Sequence, residues 1–157
     1  MTIELIVIGK TDSKEVAALV EMYARRVNFY CRFAMTTIPD VRNTKHLSAR
    51  QQSTAEGEAI LRQITEGDFV VLLDERGDEL RSTEFALWLQ KRLNSGMKRL
   101  VLVIGGPYGF SEAVYARADA KLSLSRMTFS HQIVRAIFAE QLYRAFTILR
   151  NEPYHHE

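Results

Sequence analysis

The sequence contains a single cysteine, Cys31, so no disulfide can form within one chain. It has no stretch close to the roughly 20 apolar residues that a membrane-spanning helix requires. Met1–Lys10 also lacks the charged start and the cleavage site of a signal peptide. These absences argue against a disulfide-stabilised secreted domain and against a membrane protein. They predict a soluble, cytoplasmic protein in which Cys31 is a core or strand residue.

Positive and negative side chains nearly balance, because the formal net charge is only +2. Any affinity for nucleic acid must therefore come from a local patch. Five basic residues in the first third of the chain are candidates for such a patch, or else form a solvated face: Arg25, Arg26, Arg42, Lys45 and Arg50. The common glycine-rich nucleotide motifs are missing as well. No Cys/His/Asp cluster completes a site with the adjacent His155 and His156, so no metal is expected.

Apolar runs and helical patterns alternate along the whole chain. The apolar segments predict five strands: Ile3–Ile8, Cys31–Ile38 near an edge, Phe69–Leu73, Leu100–Ile104 and Lys121–Ser125. Helical spacing predicts a helix capped by Asp12 or Ser13, then Leu47–Thr65, a helix from Ser82 or Thr83 to Leu93, Ser111–Arg117 and Ser130–Arg150. Glu75–Asp78 is expected to be a turn. The pattern predicts one α/β domain over residues 1–157, with a mainly parallel sheet and helices on both faces.

Two segments that follow strands are candidates for a ligand site, because open parallel sheets bind ligands outside the carboxyl ends of their strands. The first is the glycine loop, Gly105–Gly109, whose backbone could approach a ligand closely. An ordinary tight turn is an equally good interpretation of it. The second is Leu122–Phe129, which is either a loop with capping hydroxyls or the wall of a pocket.

The end of the chain raises two further alternatives. The helix Ser130–Arg150 is apolar around most of its circumference, so it is either deeply buried in its own chain or covered on one side by a second subunit. Its charged residues Arg135, Glu140 and Arg144 should pair or face a site. The tail that follows, Asn151–Glu157, is dense in aromatic and titratable groups and is either frayed or functional.

Several of these motifs, taken in order, resemble one family. The motifs are Val103–Gly109, Leu122–Phe129 with His131, Glu140–Ala145, and the ending Pro153-Tyr154-His155. They are similar to the RlmH-type branch of the SPOUT methyltransferases, which modify a pseudouridine of the large-subunit ribosomal RNA. The resemblance extends over essentially the whole chain. Ser130 departs from it, because many family members have proline there, but serine is itself a good N-cap.

The resemblance implies a SPOUT-type fold with a C-terminal trefoil knot that binds S-adenosylmethionine. The matching cofactor positions are Leu73, Gly105, Leu124, Ser125, Arg126, Met127, Thr128 and Phe129. It also implies a homodimer that methylates N3 of a pseudouridine in 23S ribosomal RNA of the assembled ribosome.

Methyl transfer to the imide nitrogen needs alignment of the reactants and help in removing the N3 proton. The hypothesis for the residue roles is His155 as the base, Tyr154 stacking on the acceptor, and Arg144 holding a phosphate or the developing anion. Two alternatives stay open on the sequence alone. One is a related enzyme acting on transfer RNA, and the other is a non-catalytic ribosome-binding factor with the same fold.

Overall fold

A computed structural model describes residues 1–157. Its five strands are β1 (Thr2–Ile8), β2 (Arg32–Ile38), β3 (Phe69–Glu79), β4 (Arg99–Ile104) and β5 (Ala120–Ser123). Its five α-helices are α1 (Lys14–Val27), α2 (Ala49–Arg62), α3 (Ser82–Leu93), α4 (Glu112–Arg117) and α5 (Ile133–Leu149). The predicted alternation of strands and helices is therefore confirmed.

The strands form one sheet in the order β2-β1-β4-β3-β5, and every pairing is parallel. β2 lies at an edge, as predicted from Pro39 after its last residue. Successive residues of the inner strands point to opposite faces, so one strand supplies two cores. Leu5 belongs to the larger buried cluster and Ile6 to the smaller one.

The two cores are covered by different helices. Side chains of α1, α3 and α5 complete the larger cluster, and those of α2 and α4 complete the smaller one. The predicted α/β class with helices on both faces is thus confirmed, while the trefoil knot stays a prediction. None of the helices is both long and apolar enough to span a membrane.

The expected turn at Glu75–Asp78 is wrong, because β3 continues to Glu79. Leu122 of β5 is in register with Leu73 and again with Asp78, so the pairing with β5 is interrupted by a bulge between these two residues and then resumes. The approach is very close at Gly77, where a Cβ atom would lie 2.6 Å from the backbone nitrogen of Leu122. Glycine is needed at position 77 because the backbones of β3 and β5 approach closely there, and not because the chain turns.

The expected cap of α3 by Ser82 or Thr83 is also wrong. The Glu84 carboxylate accepts a 2.7 Å hydrogen bond from the backbone N–H of Arg81, which precedes the helix. The hydroxyl of Ser82 is used elsewhere and donates to Gln141 Oε1 of α5 at 2.9 Å. At the start of α1 the prediction holds, since Ser13 Oγ accepts from Val16 N.

Helix α5 lies between α1 and α3 on the larger core, which accounts for most of its apolar surface within one chain. Phe138 is completely buried there. Several apolar side chains of α1 and α5 remain outside both core clusters, among them Leu19 of α1, and Ile133 and Ile137 of α5. These three are not fully buried, so this part of the α5 prediction still calls for a partner.

Arg135 of α5 is buried and fully hydrogen-bonded. Its guanidinium donates to the carbonyl oxygens of Ile8 at 2.7 Å and Gly9 at 2.8 Å, and to Thr11 Oγ1 at 3.0 Å. These bonds satisfy carbonyls at the carboxyl end of β1 and join that strand end to α5. Arg135 was expected to be paired or to face a site, and the structure pairs it with backbone carbonyl oxygens.

Candidate functional site

A pocket of about 460 Å³ opens at the carboxyl ends of β3, β4 and β5. Ile104 and Ser123 are the last residues of their strands, and Leu73 is the last residue of β3 that pairs with β4; all three line the pocket. Its walls are the glycine loop and the segment after β5, which are the two segments singled out from the sequence. The position follows the rule that parallel sheets bind ligands at their carboxyl edge.

Seven of the eight positions expected to bind cofactor line this pocket: Leu73, Gly105, Leu124, Ser125, Met127, Thr128 and Phe129. Arg126 does not line it. Its side chain is 87 % exposed and lies 3.8 Å from a Glu79 carboxylate oxygen. The structure thus brings together seven of these residues from three separate parts of the chain, while the side chain of Arg126 points away from the pocket.

Serine hydroxyls fold the segment between β5 and α5. Ser123 Oγ donates to the Ser125 carbonyl at 3.0 Å, and Ser125 Oγ accepts from Met127 N at 2.9 Å. Ser130 Oγ accepts from Ile133 N, the first residue of α5, at 3.1 Å. Ser130 is not the N-cap expected from the sequence, because the helix begins three residues later and the cap position is Gln132. Both interpretations of this segment hold, because the capping hydroxyls shape the pocket wall.

The glycine loop is shaped from behind by α2. A Cβ atom at Gly106 would meet the carboxylate of Glu56, so a side chain there would require the buried Glu56 side chain to move. Glu56 is buried, and Oε2 has no hydrogen-bond partner. Burial raises the pKa of the Glu56 carboxyl. The requirement for glycine at position 106 therefore comes from packing on α2, which the sequence pattern did not reveal.

A polar group that the sequence analysis missed forms one side of the pocket. The Tyr115 hydroxyl donates to Asp74 Oδ2, and the Arg76 guanidinium donates to the Tyr115 hydroxyl at 3.2 Å. The backbone N–H of Arg76 donates to Asp74 Oδ1 at 2.8 Å. Burial, together with the bond to Asp74, raises the pKa of Tyr115. The only signal in the sequence was that Asp74 directly follows an apolar strand.

The tail is ordered against α5. The Tyr154 hydroxyl donates to Glu140 Oε1 at 3.0 Å, and its ring packs edge-on against Tyr143 at 4.7 Å between centroids. The Arg144 guanidinium lies 4.8 Å from the Tyr154 ring and donates to Glu140 and to His155 Nδ1. The three residues predicted to be catalytic, His155, Tyr154 and Arg144, are thus brought together.

Hydrogen bonding restricts what Tyr154 and His155 can do. Burial, and then contacts with Tyr23 and Glu140, raise the pKa of Tyr154 above that of a free tyrosine, so at neutral pH it is a donor and not a base. A guanidinium can only donate, so His155 Nδ1 accepts from Arg144 at 3.1 Å. The proton of the neutral ring is then on Nε2, which is buried and has no hydrogen-bond partner.

The tail cluster and the pocket are well separated within one chain. None of His155, Tyr154 and Arg144 lines the pocket. Val134 does line it, and Arg144 follows ten residues later on the same helix. At 1.5 Å per residue this is about 15 Å along the helix axis. Tyr154 bonds Glu140, six residues after Val134, so the cluster begins about 9 Å along the axis and does not line the pocket of its own chain.

The five basic residues of the first third do not form one cluster. Arg25 and Arg26 are in the last turn of α1, which runs back towards the amino edge of the sheet. Arg42, Lys45 and Arg50 follow β2 and lie at the carboxyl edge. Nearness in sequence was misleading because the α1–β2 unit crosses the full height of the sheet.

No group of three or more histidine, cysteine, aspartate or glutamate side chains is arranged to hold a metal ion. The site consists of a pocket lined by apolar side chains, glycine backbone and hydroxyl groups, with a charged side, and of a tyrosine–histidine cluster on another part of α5.

The sequence matches a known class of proteins. The family model described as "Predicted SPOUT methyltransferase" matches residues 1–155. The chain therefore belongs to the SPOUT methyltransferase family.

Full-length relatives carry a more particular name, ribosomal RNA large subunit methyltransferase H. The protein of that name from Christiangramia forsetii is 60 % identical over 156 residues, covering 99 % of both chains. Those from Flavobacterium johnsoniae and Parabacteroides distasonis are 56 % and 55 % identical over 157 residues, covering 100 % of each chain. The resemblance to the RlmH-type branch is thereby confirmed.

A solved structure is also similar, that of a probable methylase family protein from Haemophilus influenzae Rd KW20. It shares 13 % identity with a TM-score of 0.49, and the match covers 95 % of this chain and 66 % of that one. A similarity of this size supports no inference about function.

Proposed function

We propose that the protein is an S-adenosylmethionine-dependent methyltransferase that modifies N3 of a pseudouridine in 23S ribosomal RNA. The observation that carries the proposal is the pocket at the carboxyl ends of β3, β4 and β5, in a chain 60 % identical to a protein named as a large-subunit ribosomal RNA methyltransferase. The substrate is the assembled ribosome, which places the reaction in the cytoplasm.

The residues of the pocket fit this donor. A volume of about 460 Å³ lies in the usual range for small-molecule sites, roughly 300–1,000 Å³. Leu73, Leu124 and Phe129 supply apolar surface for a nucleoside, and Gly105 leaves backbone accessible beside them. When bound, S-adenosylmethionine supplies an activated methyl group on a sulfonium. The protein's task is then mainly to align the acceptor and to help remove its proton.

The tail cluster suits an imide acceptor. Tyr154 offers an aromatic ring with a hydroxyl that stays protonated, which allows it to stack on a base and position it. His155 Nε2 is buried without a hydrogen-bond partner, and a Glu157 carboxylate oxygen lies 3.6 Å from it. Displacement of Glu157 would allow the Nε2–H to donate to an oxygen of the acceptor as N3 loses its proton. Arg144 is engaged by Glu140 and by His155, so we assign it the orientation of His155 in place of direct contact with RNA.

A homodimer would unite the two halves of the site. The tail cluster of one chain contacts α5 between Glu140 and Arg144, about 9 to 15 Å along the helix from the pocket residue Val134. Leu19, Ile133 and Ile137 leave an apolar strip on α1 and α5 that the monomer's cores do not use. Packing of two such strips would bring a tail close to the pocket of the partner subunit. We therefore propose a composite active site in a homodimer.

The proposal is tested by transfer of a labelled methyl group to ribosomes purified from cells that lack this modification. Mass spectrometry of the RNA identifies the modified base, and free transfer RNA serves as the competing acceptor. We expect N3-methylpseudouridine in the large-subunit RNA only. Donor binding by calorimetry without any methylated RNA product would contradict the assignment of an enzyme and favour a ribosome-binding factor.

The donor site is tested separately with Gly105→Val. A Cβ atom at Gly105 would lie 3.0 Å from the Phe110 ring, which itself lines the pocket, so a valine crowds this wall from inside. We expect loss of S-adenosylmethionine binding in calorimetry with an unchanged circular dichroism spectrum. Full affinity in a folded variant would exclude this wall from the site. Gly96→Val is a poor control because Gly96 has a positive φ. Gly67→Val is used instead, because a Cβ atom at Gly67 would have no atom within 4 Å.

A further inference from the structure

Asp74, Tyr115 and Arg76, hereafter the charged wall, form a connected group on one side of the pocket. The Asp74 side chain is only 7 % exposed, while that of Arg76 is 75 % exposed. All three residues line the pocket. The neighbouring glycine loop and the segment 124–129 do not contact them through any hydrogen bond, so the charged wall is a separate feature of the site.

Two contacts hold the Arg76 guanidinium in place although it is accessible. It donates to the Tyr115 hydroxyl at 3.2 Å, and its carbon lies 5.8 Å from the centre of the Tyr115 ring. The hydroxyl is itself fixed by its bond to Asp74. A guanidinium has five N–H donors, so several remain free towards the pocket or solvent. This is the arrangement expected of an arginine that binds an anionic oxygen.

The neighbouring charges indicate which anion this is. The Arg76 guanidinium lies 3.8 Å from Asp74 Oδ1, and Glu75 also lines the pocket, which thus presents two carboxylates and one guanidinium. RNA phosphates would be repelled by these carboxylates, whereas a zwitterion has a charge for each partner. The amino-acid end of S-adenosylmethionine is such a zwitterion, with an ammonium and a carboxylate on one carbon.

We propose that the charged wall is the recognition site for the amino-acid end of the methyl donor. Arg76 binds its carboxylate, Asp74 accepts from its ammonium, and Tyr115 acts as a positioning residue for both. This inference rests on the proposed function. It adds residues outside the eight cofactor positions and explains why an exposed arginine is fixed beside an apolar pocket.

The test compares donor analogues by calorimetry, with the purified protein and without RNA. The wild-type protein is expected to bind S-adenosylmethionine more tightly than decarboxylated S-adenosylmethionine, which lacks only the carboxylate. Arg76→Ala should lower affinity for the first by roughly ten- to a hundredfold and leave the second unchanged, because a hydrogen bond to a charged group is lost only where the carboxylate exists. Arg25→Ala, another exposed arginine paired with a carboxylate, is the matched control and should change neither.

Two further variants test the other members. Asp74→Asn should lower the affinity for S-adenosylhomocysteine. It should not lower the affinity for 5′-methylthioadenosine, which lacks the whole amino-acid end. Tyr115→Phe keeps the ring and removes the hydroxyl, so it should reduce the carboxylate preference while affinity for 5′-methylthioadenosine is retained. A purely structural role of Tyr115 would weaken all ligands alike. If Arg76→Ala is unfolded by circular dichroism, Arg76→Gln takes its place.

The outcomes separate the inference from the proposed function. If the wild-type protein binds none of these nucleosides, the proposed function fails and the inference fails with it. If the wild-type protein binds them and Arg76→Ala keeps the full preference for the carboxylate, only the inference is overturned. An unchanged preference with reduced methyl transfer to ribosomes would assign Arg76 to an RNA phosphate instead, which also overturns it.

Discussion

At the scale of single residues, the orientation of the His155 ring decides which chemistry is open to it. Nδ1 accepts from Arg144, so the neutral ring presents an N–H at Nε2 and has no free lone pair. A general base needs a lone pair facing the proton it removes. The geometry therefore favours a hydrogen-bond donor that stabilises the acceptor anion over the base expected from the sequence.

The donor role gives a specific prediction for two variants. His155→Ala should reduce the rate of methyl transfer by about ten- to a hundredfold, as expected for one hydrogen bond to a charged group. His155→Gln retains an N–H donor and should recover part of that loss. Single-turnover transfer at saturating donor measures both. An equal loss of roughly 10²–10⁴-fold in the two variants would instead identify His155 as the base.

Single residues also mark the limit of what the sequence could predict about the site. Leu73 and Gly105 were found because a family pattern fixes them beside strand ends. Tyr115 and Glu56 were not found, because their importance arises from contacts with Asp74 and Gly106 that lie far away in sequence. Contacts of this kind depend on the packing of α2 and α4 against the sheet, which hydrophobic periodicity does not reveal.

At the scale of secondary-structure elements, hydrophobic periodicity located all five strands and all five α-helices. It failed at the end of β3 because composition there is that of a turn, while the backbone of β5 provides the pairing. The segment Glu75–Asp78 is polar for another reason, because it carries Glu75 and Arg76 into the pocket.

The join between β1 and α5 can be tested through Arg135. Replacing it by methionine keeps an apolar stem of similar length but leaves the Ile8 and Gly9 carbonyls without their donor. Buried acceptors left unsatisfied cost about 1–3 kcal/mol each, so we expect the free energy of unfolding to fall by about 2–5 kcal/mol. Urea denaturation followed by circular dichroism measures this, with Arg150→Met, at an exposed position, as control. A change below about 0.5 kcal/mol would show that water replaces the guanidinium.

At the scale of the whole molecule, the first question is the homodimer. Phe138 is unsuitable for testing it, because this side chain is completely buried and its replacement would unfold the chain. Ile137 belongs to neither core cluster. Ile137→Asp should therefore convert a dimer into a folded monomer, because a carboxylate would be buried without a partner at the interface.

Light scattering at micromolar concentration measures the mass of both proteins, and the single-chain mass is 18.0 kDa. Ile64→Asp, on the opposite face of the sheet, is the matched control and is expected to keep the dimer if it folds. A wild-type monomer would overturn the homodimer and with it the composite site. A dimeric Ile137→Asp protein would move the interface away from the outer side of α5.

The composite site makes the most demanding prediction, because it requires two different chains to complement each other. A protein lacking Tyr154–Glu157 keeps its pocket but has no tail cluster, whereas Gly105→Val keeps the tail and loses the pocket. Each should be inactive alone. The truncation removes no buried core residue, and the truncated protein should keep most of its affinity for the donor.

In a mixed dimer, the tail of the Gly105→Val chain would reach the intact pocket of the truncated chain and restore one active site of two. Heterodimers purified through two different affinity tags should then show about half the wild-type rate. Inactive heterodimers would mean that each tail serves its own subunit and that the roughly 15 Å along α5 is closed by movement within one chain. Full activity of the truncated protein by itself would remove the tail from the mechanism altogether.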